Sequence, residues 1–242
     1  MTTTEAAGPP DPRKSLYIFA SGKKGSGKSY VCRAWWDSYP FDKLVIDVTH
    51  DVRDDLRAGG EKFTDLDPQV LPARLPDPVD EDAAPRAYVL CPDMGSPSWE
   101  DDVDRAAGLC MRGRDRPTLL WVDEFGAITS GNKTGPNMRR ALHHGRHHSL
   151  SLLLACPRPM DVDALGISQA DLVYTFRTPV VQDREKIAKN IGFEPAEFGR
   201  INEQLGEEHA HTLYDARADQ LFIMPPLPPR RRGRNAYPPL PV

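Results

Sequence analysis

The chain has 242 residues, a net charge of −4, 39% hydrophobic and 27% charged residues, and 24 prolines. That composition excludes a membrane-spanning or wholly disordered chain and leaves room for one buried core of good size. No apolar run nears the ~20 residues of a membrane helix, and the opening MTTTEAAGPPDP has no apolar h-region, so no secretory signal and a cytoplasmic setting are expected.

Residues 1–13 read as a flexible arm. The β-rich SLYIFA (15–20) then leads into SGKKGSGKS, with a helical pattern through Trp36 behind it. KLVIDV (43–48) is a second expected strand. Residues 59–86 carry five prolines and many acids and are expected to be an exposed, partly disordered insertion. Further strands are expected at 87–91, 118–122 (TLLWV), 150–156 (LSLLLAC) and 172–176. Helices are expected at 99–111, 181–191 and 195–205, and a terminal hairpin at 210–214 with 219–223. Apolar strands alternating with helices indicate an α/β domain over 14–224 with a mostly parallel central sheet. The tail, 225–242, holds seven prolines and four arginines with no acid, and is expected to be extended and disordered. Cys32, Cys91, Cys110 and Cys156 form no C-x-x-C pair and read as reduced thiols.

Gly22, Lys23, Lys24, Gly25, Ser26, Gly27, Lys28 and Ser29 match G-x-x-x-x-G-K-[ST], between a strand and a helix. Glycines let backbone N–H groups curl around phosphate, and the helix N-terminus adds partial positive charge. Lys28 is placed to reach the β- and γ-phosphates, the Ser29 hydroxyl to bind Mg²⁺, and Tyr30 to complete an ATP-binding set. Asp123 and Glu124 follow the buried TLLWV: the aspartate suits a Mg²⁺ ligand and the glutamate a general base that polarises water. An N-cap with a first-turn acid would read the same way.

Between Ala127 and Met160 there is no acid in 34 residues, where about five would be expected. The stretch carries Lys133, Arg139, Arg140, Arg146 and Arg158, together with His143, His144, His147 and His148. Its cations suit a polynucleotide, with Lys133, Arg139 and Arg140 as the contact candidates, or an arginine finger for a neighbour's ATP; a solvated helix face is the plain alternative. The histidines pair at i,i+4, but no Cys or carboxylate lies nearby in sequence to complete a metal site.

SGKKGSGKS, TLLWVDEFG and HHGRHHSLSLLLACPRPMDVD together resemble the FtsK–HerA superfamily of P-loop ATPases over roughly residues 15–180. That family places GR, a hydrophobic strand and T-Q-R-P-x-D after its acidic strand. Here Gly145-Arg146 precedes the strand, and Arg158-Pro159 with Asp161 follows it. The resemblance implies a RecA-like (ASCE) sheet with the acidic strand beside the phosphate-loop strand. It also implies a ring-forming ATPase that moves double-stranded DNA. A chain this short, without an anchor or extra barrel, is most like the genome-packaging ATPases of membrane-containing phages, with a capsid vertex as a partner for the tail. Conjugation- or HerA-type pumps are the nearest alternative. Arg146 is the first candidate for a trans-acting finger and Arg158 the second. One departure stands out: Cys156-Pro157 replace the family's Thr-Gln, whose glutamine is thought to sense the γ-phosphate. A slow ATP-dependent switch is therefore a further alternative. A small-molecule kinase lacks an arginine-rich lid here, and Asn132-Lys133-Thr134-Gly135 lacks the aspartate of a GTPase N-K-x-D.

Overall fold

A computed structural model describes residues 14–76, 84–111, 117–129, 134–206 and 209–226. The expectations for the arm 1–13, for Lys133 and for the tail arginines fall outside those residues. In chain order the elements are β1 (Tyr17–Ser21), α1 (Lys28–Ser38), β2 (Asp42–Asp47), α2 (Asp51–Ala58), β3 (Thr64–Leu66), β4 (Ala87–Leu90), α3 (Trp99–Leu109) and β5 (Thr118–Asp123). There follow α4 (Phe125–Thr129), α5 (Pro136–His144), β6 (Leu150–Cys156), α6 (Ala164–Ser168), β7 (Leu172–Phe176), α7 (Val181–Asn190), α8 (Pro195–Gln204), β8 (His211–Asp215) and β9 (Gln220–Met224).

The strands form one open nine-stranded sheet in the order β3-β4-β2-β5-β6-β1-β7-β8-β9. All neighbours from β3 to β7 are parallel, and β8 and β9 add an antiparallel hairpin at the edge. Buried on both faces, the central strands are apolar along most of their length, as parallel sheets require. Their side chains alternate between two cores. Tyr17 and Phe19 of β1 face α3, α5, α7 and α8, while Ile18 and Ala20 face Val31 and Trp36 of α1 and Val52 and Leu56 of α2. Trp36 and Trp121 meet at 5.8 Å between ring centroids in the second core. Among the described residues no helix is long and apolar enough to cross a membrane.

Two expectations change. The acidic strand β5 is not beside β1, because β6 lies between them and pairs with both. LSLLLAC is buried over its whole length, which suits it to that central place. The stretch 59–86 is largely exposed where described, yet Thr64–Leu66 forms an edge strand and Leu75 is fully buried in the first core. Its leucines pack, and its regular structure among the described residues is limited to that short strand and a 3₁₀ turn at Pro68–Val70.

Candidate nucleotide site

The site grows from the carboxyl ends of β1, β6 and β5, where crossover connections leave a crevice. Beyond Ser21 the chain turns tightly: the Gly22 amide donates to the Cys156 carbonyl (3.3 Å), and the Ser26 amide donates to the Lys23 carbonyl (3.1 Å). Two glycines are required here. A Cβ on Gly22 would strike Ser26 Oγ and the Phe176 Cβ, the latter at 2.8 Å. Gly27 has φ 107°, and a Cβ there would lie 2.8 Å from Phe176 Cε1. Phe176, buried at the end of β7, is thus the anvil against which the loop is formed.

Gly27 caps α1 without a side chain, and no acid sits in the first turn. The amides of that turn therefore point at the crevice with the positive end of the helix dipole behind them. Lys28 is buried, and its Nζ stands 3.8 Å from Asp123 Oδ1. Asp123 is buried too: Thr49 Oγ1 donates across 3.5 Å to its Oδ2, while Oδ1 has no hydrogen-bond donor. The same hydroxyl stands 3.4 Å from Oδ1 of Asp47, which is the register partner of Asp123 on β2. Burial raises the Asp123 carboxyl above the usual range, with the Lys28 ammonium pulling it back. Glu124 is half-buried and is raised by burial in the same way, with Lys28 opposing and Asp123 and Asp51 adding. Its backbone is left-handed, φ 59°, a strained state for a residue with a Cβ and one that favours functional sites.

These groups share one cavity of about 1020 Å³. Lys23, Lys24, Gly25, Gly27, Lys28, Ser29, Tyr30, Asp123 and Glu124 line it, and Gly22 and Ser26 shape its loop. The donor set fits a nucleoside triphosphate with a hard divalent cation. Ser26 Oγ, Asp123 Oδ1 and Trp121 Nε1 are buried without hydrogen-bond partners, and hydroxyl and carboxylate oxygens are the ligands Mg²⁺ prefers. Sequence patterns did not single out Thr49, Asp51, Val52, His209 or Pro226 as lining residues, yet all face the cavity. They come from three separate segments and belong to no spaced motif.

The two finger candidates lie at opposite ends of the sheet. Arg158 follows β6 at the cavity side; it is exposed, and among the described residues its ionic contact is with Asp161 at 3.8 Å. Arg146 precedes β6 at the far side. It donates to the Gln169 carbonyl (2.8 Å) and to Asp171 (2.9 Å), and its guanidinium lies 3.9 Å over the Tyr17 ring. Arg139 and Arg140 are exposed on α5. At the family's Thr-Gln position, Pro157 lines the cavity and the Cys156 thiol donates to the Arg158 carbonyl (3.1 Å). Among the described residues no group of three His, Cys, Asp or Glu is arranged to hold a metal.

No family model and no curated protein matches the chain. Solved structures do. The genome-packaging NTPase B204 of Sulfolobus turreted icosahedral virus 2, in complex with AMPPCP, superposes with a TM-score of 0.64 at 20% identity over 89% of this chain and 99% of that one. B204 of Sulfolobus turreted icosahedral virus, a DNA-packaging ATPase, gives 0.61 at 18% over 89% and 98%. The pCW3 conjugation coupling protein TcpA, with ATPγS, gives 0.50 at 13% over 84% and 58%. The chain thus shares its RecA-like P-loop fold with the viral genome-packaging NTPase B204 and, more distantly, with a conjugation coupling protein.

Proposed function

We propose that the chain is an ATP-hydrolysing DNA translocase, a genome-packaging motor subunit that works as a ring. The observation that carries the reading is the meeting of Lys28 and Asp123 at 3.8 Å with strained, half-buried Glu124 beside them in one cavity. The amides of the α1 first turn and Lys28 hold the triphosphate and draw negative charge from the γ-phosphate. Ser29 and Asp123 would hold Mg²⁺, which would supply positive charge to neutralise the triphosphate. Glu124 takes a proton from the attacking water, and its raised carboxyl brings it closer to neutral pH, where a general base works best. Thr49 keeps the Asp123 carboxylate turned toward Lys28.

Arg158 is favoured as the trans-acting finger, since it is exposed at the cavity side and only loosely held. Arg146 is spent on Asp171, Gln169 and Tyr17 and serves the fold. Pro157 at the sensing position favours a second reading, a slow switch that binds ATP and turns it over rarely. The likeness in fold to a conjugation coupling protein keeps a mobile-element pump as an alternative. The tail leaves the described chain beside the cavity at Pro226, and a capsid vertex is its proposed partner. Steady-state hydrolysis of ATP by the wild type and by Lys28→Ala, with and without duplex DNA, tests the proposal beside the native mass of the assembly. The motor reading expects DNA- and assembly-stimulated turnover that Lys28→Ala abolishes. Near-zero, DNA-independent turnover in an assembled ring supports the switch.

A further inference from the structure

The acid-free stretch supplies one more surface. α5 runs back from the cavity side toward the amino ends of the strands, and the turn 145–148 closes it there. The Tyr17 hydroxyl, at the start of β1, donates to the Ala141 carbonyl (2.6 Å) and accepts from the Arg146 amide (3.1 Å). Met138, Ala141 and Leu142 fasten the inner side of α5 to the core. Asp104 of α3 holds the start of the helix through the Asn137 and Met138 amides (3.2 and 2.9 Å). What remains outward is basic: Arg139, Arg140, His143, His144 and His147 are all exposed.

Among the described residues no acid pairs with them. Among the described residues neither Arg139 nor Arg140 makes an ion pair with a carboxylate; Arg140 instead meets His148 Nε2 at 3.4 Å, another basic group. The imidazoles of His143, His144 and His147 crowd one another at 5.8 and 6.4 Å between centroids. Asp104, the acid that reaches this helix from α3, is buried under its first turn and spent on it. Arg146 is already paired with Asp171. Elsewhere in the described chain Arg33, Arg53, Arg57, Arg86, Arg105, Arg158, Arg184 and Arg217 have acidic partners; what distinguishes α5 and its turn is that two arginines without one and three exposed histidines share one face.

From this we infer that the outer face of α5 and the following turn is the surface that grips the phosphate backbone of duplex DNA, at the end of the sheet away from the nucleotide cavity. The choice of a nucleic acid among polyanions rests on the DNA-translocase reading. Arginine forks and imidazole N–H groups suit phosphate oxygens. The grip carries no base readout, as a translocase needs, because it closes on the backbone alone.

Duplex binding without nucleotide separates this proposal from the ATPase reading, since it does not depend on the phosphate loop. Fluorescence anisotropy with a 30-bp duplex is read against salt for the wild type, for Arg139→Ala with Arg140→Ala, and for His143→Gln with His144→Gln and His147→Gln. An equal-charge control is Lys189→Ala with Arg200→Ala, two cations on α7 and α8. The arginine pair should weaken binding at least tenfold and reduce the slope of log K on log salt by roughly 2, one for each phosphate that is no longer neutralised. The histidine variant should weaken it less. The control should match the wild type, and basal ATP hydrolysis should persist in all three variants. An unchanged slope in the arginine variant, a control as weak as that variant, no duplex binding by the wild type, or tighter wild-type binding of a polyglutamate peptide than of duplex would each overturn the inference.

Discussion

Glu124 offers the sharpest test of the site, because its chemistry and its backbone make opposite demands. Glu124→Gln preserves shape and removes the group that accepts a proton. In a general-base role the loss of hydrolysis is ~10²–10⁴-fold, with nucleotide affinity nearly unchanged. Burial, resisted by Lys28 and reinforced by Asp123 and Asp51, raises the Glu124 carboxyl. Wild-type hydrolysis should therefore fail on acidification at a pH above the ordinary glutamate range, and the residual activity of Glu124→Gln should lack that limb. Stability moves the other way. At neutral pH the carboxylate is charged in both states and its burial counts against the fold; that disadvantage disappears as pH drops through the raised pKa. The left-handed φ of 59° adds strain of roughly 1–2 kcal/mol. Glu124→Gly relieves that strain and loses ~0.5–1 kcal/mol to the freer unfolded chain, a net gain of up to about 1.5 kcal/mol, or at most ~3–6 °C in Tm at this size. Single-turnover hydrolysis and thermal unfolding on the same samples read both effects. A Glu124→Gln rate within about threefold of wild type, or a Glu124→Gly protein that melts lower, would refute the reasoning.

Other substitutions probe different parts of the molecule. Gly27→Ala should weaken ATP binding at least tenfold (roughly 1.4 kcal/mol or more) by calorimetry, because its Cβ meets the Phe176 ring. Phe176→Ala in the same chain should recover part of that loss, which a purely φ-driven defect would not show. Arg146→Ala should lower Tm and leave per-chain hydrolysis intact, whereas Arg158→Ala should leave Tm alone and slow the assembled enzyme; the reverse pattern, read by melting and by turnover, would exchange their roles. Burial lowers the Lys43 ammonium from 10.5 to about 8, with Asp37 opposing, and its Nζ donates to the Trp36 carbonyl at 2.8 Å. That drop corresponds to roughly 3 kcal/mol against the fold at pH 7, less ~1 kcal/mol for the hydrogen bond. Lys43→Met should thus gain about 2 kcal/mol in urea unfolding at pH 7, an advantage that shrinks as pH rises above 8 and is gone by about 10.5.

The apolar strands and the phosphate loop were legible because burial on both faces and a glycine-spaced turn leave strong local marks. β1, β5, β6 and β7 fall within a residue or two of their expected bounds. The helices that escaped notice are short or polar. α4 and α6 have five residues each, and α2 (DVRDDLRA) carries only Val52 and Leu56 on its buried side. Strand order was not legible, since LSLLLAC and TLLWV are equally apolar and nothing local says which is central. The site shows the same division. Lys28, Asp123 and Glu124 belong to spaced motifs, but Thr49 and Asp47 reach Asp123 only through the pairing of β2 with β5. His209 and Pro226 arrive from the far end of the chain.

The central place of β6 limits how the molecule can do work. Its seven residues span ~23 Å, from the basic turn at one end to Pro157 at the cavity, and ladders on both sides tie it to β1 and β5. A rod clamped along both flanks neither flexes nor slides by itself. Any push felt at Pro157 must carry the whole slab with it, so a power stroke would emerge as the tilting of entire copies against one another.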